Sequence, residues 1–179
     1  MNTLFETGGD GSTATTHDWL TPPELLSALG AFDLDPCASE HQPWRTAAQE
    51  FTIKDNGLNC PWHGRVWCNP PYGPFAARWL ERCAAHGNAL ALVFARTETA
   101  VFQQHVFPKA DALLFIRGRI SFRLPGGGTA GPAGAPSVLI AYGGSNALKL
   151  AACGVSGSFI SLSRRERITS EAPLLAQVA

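Results

Sequence analysis

No run of 18 uninterrupted apolar residues occurs in this 179-residue chain, and its first sixteen residues have neither a basic start nor an apolar stretch. Neither a membrane-spanning helix nor a signal peptide is expected, and residues 1–16 read as a flexible polar tail on a soluble protein. Cys-x-x-Cys pairs are also missing: Cys37, Cys60, Cys68, Cys83 and Cys153 are odd in number and irregularly spaced. This argues against a disulfide framework or a zinc ribbon and makes a reducing cytoplasm the expected location. Cys60 and His63, followed by Cys68, have no fourth partner at metal-ligand spacing, so no metal is expected. No internal repeat is present.

The chain also has no net charge, but this zero hides an asymmetry. Residues 1–95 hold five Lys/Arg against ten Asp/Glu, and residues 96–179 hold nine against four, so the halves carry −5 and +5. An acidic half suits a cationic small ligand and a basic half suits a polyanion, although solvated surfaces also scatter charge unevenly. A hydrophobic content of 45% supports one substantial core, so residues 17–162 read as a single domain followed by a charged tail over 163–179.

Thr21-Pro22-Pro23-Glu24 has the composition of a helix start, with Thr21 as N-cap, Pro22 at the first helical position and Gly30 as the stop. Residues 31–35 (AFDLD) read as a strand with carboxylates at its C-terminal end, and 64–68 (GRVWC) as a second, buried strand. Pro74 then opens a helix with Phe75, Trp79, Leu80, Cys83 and Ala84 on one face, closed by Gly87. The apolar run 89–95 has the pattern of a strand buried on both faces of a parallel sheet. A short helix around 99–107 and another apolar run, 112–116, follow it.

This alternation predicts an α/β domain with a mainly parallel sheet, whose ligands bind beyond the C-terminal ends of the strands. Asp35, Asn69 and Arg96 are then expected to converge on one cleft. Residues 117–124 (RGRISFRL) alternate Arg117, Arg119, Ser121 and Arg123 with apolar residues, and 137–142 (SVLIAY) is expected to pair with them as a C-terminal antiparallel hairpin. The Gly- and Pro-rich stretch 125–136 between them reads as a mobile loop. A further strand is expected near Ser158–Leu162.

Asn69-Pro70-Pro71-Tyr72, directly after the buried strand, combines an amide, a proline carbonyl and an aromatic ring. Such a set suits a planar amino group, whereas the competing reading is a plain strand-to-helix turn. Seven blocks in order give this tetrapeptide its context. They are Asp18-Trp19-Leu20-Thr21-Pro22, Asp33-Leu34-Asp35-Pro36-Cys37-Ala38-Ser39, Asp55-Asn56-Gly57-Leu58 with Pro61-Trp62, Val66 through Gly73, Arg96-Thr97-Glu98-Thr99, Arg117 through Phe122, and Ala135 through Ile140.

In these blocks the chain resembles the phage-type Dam-like DNA N6-adenine methyltransferases, which use S-adenosylmethionine, over about residues 18–143. The resemblance implies a Rossmann-like methyltransferase fold, double-stranded DNA as partner, and location in the host cytoplasm if phage-encoded. A monomer without membrane attachment is expected.

By the same resemblance, Asn69 and Pro70 accept hydrogen bonds from the adenine N6 amino group, and Tyr72 stacks on the extruded base beside Pro71. Trp19, Thr21, Pro22, Asp33, Asp35, Pro36, Cys37, Ala38, Asp55, Leu58 and Asn69 are the implied cofactor contacts. The Gly-rich loop that many such enzymes carry after Asp35 is absent here. Arg96, Arg117, Arg119, Ser121 and Arg123 are the candidates for DNA contact, since arginine suits both guanine edges and phosphates. For Thr21 a capping role competes, for Asp33 a backbone hydrogen bond and for Asp55 a turn. Methylation of cytosine N4 or of a glutamine amide uses the same acceptors, and a non-catalytic DNA-binding accessory protein is the reading from another class.

Overall fold

The computed structural model describes residues 19–71, 73, 75–125 and 128–162. Both expected tails, together with Asp18, Tyr72 and Pro74, lie outside them. Seven strands form one sheet: β1 (Leu34–Asp35), β2 (Gln49–Glu50), β3 (Val66–Cys68), β4 (Ala89–Phe94), β5 (Ala112–Ile116), β8 (Ser137–Tyr142) and β9 (Gly157–Ser161). A separate two-stranded sheet pairs β6 (Ser121–Arg123) with β7 (Thr129–Pro132). The large sheet runs β2-β1-β3-β4-β8-β5-β9, parallel from β2 through β4 and antiparallel at each later pairing. β5 therefore points the same way as β1, β3 and β4.

The expected α/β character and mostly parallel sheet are present, but the hairpin partners differ from expectation. β8 does not pair with 117–124; it inserts between β4 and β5, while β6 folds onto β7 within the segment expected to be a loop. Burial explains the exchange. All six residues of β8 are buried, so an apolar run without alternation is stable only in the middle of a sheet covered on both faces. Residues 121–123 bury Phe122 and expose Ser121, a pattern suited to a small sheet with one wet face.

Helix α1 (Pro23–Leu29) begins one position later than expected: Pro22 is the N-cap and no side chain caps the first turn. Helix α2 (Ala76–His86) buries Trp79, Leu80 and Cys83 as its stripe predicts and ends at Gly87 in the left-handed region, φ 72. Phe75, expected on that stripe, is 64% exposed. The short helix expected near 99–107 is a π-helical segment, Phe102–Val106, and helix α3 (Gly144–Ala152) was not legible in the sequence.

Two apolar layers cover the sheet. Leu34, Val66, Cys68, Trp79 and Leu80 lie in one, and Phe32, Trp67, Leu90, Leu92 and Phe122 in the other. At the sheet end opposite the β1 and β3 C-termini, the buried Arg65 ties several elements together. Its Nε donates to Asn146 Oδ1 of α3 at 2.7 Å, its Nη1 to the Leu29 and Ala31 carbonyls at 2.9 Å, and its guanidinium lies 4.2 Å from the Phe32 ring centroid. Burial lowers its pKa, partly offset by Asp33.

Candidate active site

β1 and β3 are adjacent and parallel, yet β2 follows β1 on one side and β3 joins it on the other. The chain thus reverses its direction of travel across the sheet between them, and in open α/β sheets such a switch point leaves a crevice at the C-terminal strand ends. A cavity of about 460 Å³ lies there, within the size range of small-molecule sites. Its walls are the segment 19–21, the residues after β1, the 52–57 turn, and Trp67, Asn69, Pro70 and Pro71 at the end of β3.

Asp35 forms the charged floor and is only 2% exposed. Its Oδ2 accepts from Thr46 Oγ1 at 2.6 Å and its Oδ1 from the Cys37 N–H at 3.0 Å. Burial raises its pKa to about 6, against the lowering effect of those two hydrogen bonds. A carboxylate so desolvated is poised to take a cation, which would restore its ordinary acidity. Thr46, eleven residues away in sequence, carries no motif that would mark it as the partner.

Asn69 is held on the neighbouring strand end. Its Nδ2 donates to the Trp19 carbonyl at 2.9 Å, which fixes the amide orientation, and its Oδ1 is buried with no hydrogen-bond partner among the described residues. Trp19 is itself anchored: its ring meets Phe122 edge to face at 5.4 Å, and Leu20 pairs with Arg123 through two backbone hydrogen bonds of 3.1 and 2.9 Å. Hairpin β6–β7 therefore braces the segment that orients Asn69.

The proposed cofactor residues divide by position. Trp19, Thr21, Asp35, Pro36, Cys37, Ala38 and Asn69 line the cavity; Pro22, Asp33, Asp55 and Leu58 do not. Pro22 lines a second, open groove of about 340 Å³ with Leu25, Ile120, Ser121 and Arg123. Asp33 Oδ2 accepts the Arg65 N–H at 2.6 Å and so ties the start of β3 to the start of β1, whereas Asp55 Oδ2 accepts the Thr52 N–H at 2.7 Å and its hydroxyl at 3.0 Å and holds its own turn. Leu58 packs against the core. Sequence reasoning missed Thr46, Gln42, Ile53 and Trp67, all on the cavity wall.

Gly57 shows how closely the walls approach each other. A β-carbon there would overlap the Pro36 carbonyl, so the 52–57 turn and the residues after β1 meet backbone to backbone. Gly57→Ala is expected to destabilise by roughly 1–3 kcal/mol through this overlap. The loss would be read as a lower midpoint in thermal unfolding.

No candidate arginine lines the cavity. Arg96 and Arg117 are exposed just beyond β4 and β5, whose C-termini share the sheet edge of Asp35 and Asn69. Arg119 is exposed with Nη1 3.4 Å from the Ala133 carbonyl, and Arg123 pairs with Glu24 at 2.7 Å. Along that one edge the order is Asp35, Asn69, Arg96, Arg117, from acidic to basic. Asp35 and Asn69 share a cavity as expected, and Arg96 stands beyond it.

The family model of DNA N-6-adenine-methyltransferases (Dam) matches residues 11–141, a span that takes in the whole cavity wall. The chain belongs to the Dam family. Comparison with curated proteins and with solved structures gave no match. In this Dam-family chain the described residues contain no metal-ligand cluster and no helix long and apolar enough to cross a membrane.

Proposed function

We propose that the protein moves a methyl group from S-adenosylmethionine to the N6 amino group of an adenine extruded from double-stranded DNA, on a Rossmann-like methyltransferase sheet and as a monomer. The carrying observation is the buried Asn69 Oδ1, without a hydrogen-bond partner among the described residues, one strand away from the buried Asp35 carboxylate. These are an acceptor for an amino group and an anion for a cationic ligand, beside one cavity. The residues present therefore fit the cofactor that the family implies.

When bound, S-adenosylmethionine supplies an electrophilic methyl group on its sulfonium. Asp35 holds the ammonium of the methionyl end, directly or through water. Asn69 Oδ1 and the Pro70 carbonyl accept the two amino hydrogens of the adenine, leave the nitrogen lone pair free for in-line attack, and stabilise positive charge as it grows on that nitrogen. No general base is needed before transfer, and the surplus proton leaves afterwards to solvent. Because an aryl amine is a weak nucleophile, alignment carries much of the acceleration, with an effective molarity on the order of 10⁵ M.

Tyr72 provides the stacking face, offsetting roughly 1–3 kcal/mol of the cost of extrusion. Arg96 and Arg117 meet the DNA on the basic side of the sheet edge, and Arg119, Ser121 and Arg123 meet it from the separate β6–β7 side. Titration calorimetry with S-adenosylmethionine, followed by transfer of labelled methyl to duplex DNA, tests the proposal. Saturable binding and DNA labelling are expected. Absence of binding at millimolar cofactor would instead favour a DNA-binding accessory protein.

A further inference from the structure

Among the described residues, Asn69 Oδ1 is one of three buried side-chain polar atoms on the cavity wall without a hydrogen-bond partner; the others are donors, Gln42 Nε2 and Trp67 Nε1. A buried donor without an acceptor forfeits its hydration with no return, so two of them on residues that line one cavity point to a ligand that accepts once the wall closes on it. Both flank Asp35. Gln42 lies on the segment that leaves Asp35 and returns to it at Thr46, and Trp67 lies on β3, next to β1 and two residues before Asn69. Among the described residues the wall contains no arginine or lysine, and its charged and imidazole groups are Asp35, Glu40 and His41.

A ligand whose ammonium is taken by Asp35 and which also carries a carboxylate must therefore satisfy that carboxylate with neutral donors. We propose that Gln42 Nε2 and Trp67 Nε1 bind the carboxylate of the cofactor's methionyl end, so that the site reads an amino-acid zwitterion without a basic residue. This rests on the cofactor reading above and adds the residues that distinguish the zwitterion from a plain amine. A lysine or arginine in their place would pair with Asp35 and cancel the charge that holds the ammonium.

Calorimetry of the full chain with two probes tests the assignment: S-adenosylmethionine, and its decarboxylated analogue, which keeps the sulfonium and the amine. Gln42→Leu removes one donor at similar shape, and Trp67→Phe removes the other together with part of a buried ring. The wild type is expected to prefer the intact cofactor. Each variant is expected to lose roughly tenfold or more in affinity for it, as for a hydrogen bond to a charged group, and to bind the analogue as the wild type does. Comparing two ligands within one variant cancels any loss of folded protein. Equal losses for both probes, or no loss in either variant, would overturn the donor assignment while leaving the cofactor site standing. A wild type that binds neither probe would overturn both.

Discussion

Asn69→Ala is expected to lower turnover by roughly a hundred- to a thousandfold, the range seen when one preorganised polar contact to a developing charge is removed. Cofactor affinity should stay close to wild type. The split follows from the geometry: Nδ2 is already committed to the Trp19 carbonyl at 2.9 Å, and the Oδ1 that the variant deletes has no partner among the described residues. Its loss leaves no buried group stranded except that carbonyl, so the fold should survive. Single-turnover methyl transfer measured beside cofactor titration separates the two effects. Loss of both in a folded variant would move Asn69 from the amino group to the cofactor.

Asp35→Asn is expected to weaken cofactor binding about a hundredfold or more, as when one partner of a buried charge pair is truncated, while making the free protein more stable at neutral pH. The rise in the Asp35 pKa from 3.8 to about 6 corresponds to about 3 kcal/mol. Because the folded-state value is the higher one, stability is fully present below about pH 4 and is lost as pH rises through about 6, where the buried carboxyl must ionise. Asparagine removes that cost and keeps the local hydrogen bonds. Its oxygen can accept from the Cys37 N–H, and its amide can donate to Thr46 Oγ1, which already reaches Glu50 Oε1 at 3.0 Å.

The variant should therefore melt several degrees above wild type at pH 7.5, with the gap closing near pH 4. Wild-type cofactor affinity should fall about tenfold per pH unit below about 6, since bound cation and proton compete for Asp35, and the variant should lack this slope. A variant that melts lower at pH 7.5, or binds the cofactor as well as wild type does, would remove Asp35 from the assigned role.

Strand ends and turn residues were legible because each carried a local signal. Asp35 follows a helix stop and precedes Pro36, and Asn69 closes an apolar run, so both were assigned to strand termini from sequence and both line the cavity. What failed depends on contacts distant in the chain. The alternation in 117–124 signals one wet face but not the partner, and β8 was taken up by the sheet interior because its six residues are buried on both faces. Thr46, Gln42 and Trp67 gave no sign of their roles, since a hydroxyl, an amide and an indole gain meaning only once folding brings them to the cavity wall with Asp35. The resemblance implied Asp33 and Asp55 as cofactor contacts, but their carboxylates accept backbone N–H groups, as the competing readings of a backbone hydrogen bond and a turn expected.

The central claim is that Asn69 and Pro70 present an adenine amino group for methylation. It is tested most directly by incubating the protein with duplex DNA and methyl-labelled S-adenosylmethionine, digesting the DNA to nucleosides and separating them. All label is expected in N6-methyldeoxyadenosine, and about a hundredth of it or less when Asn69→Ala replaces the wild type over the same time. Label in N4-methyldeoxycytidine or on a protein glutamine amide, or unlabelled DNA from a protein that binds the cofactor, would contradict it.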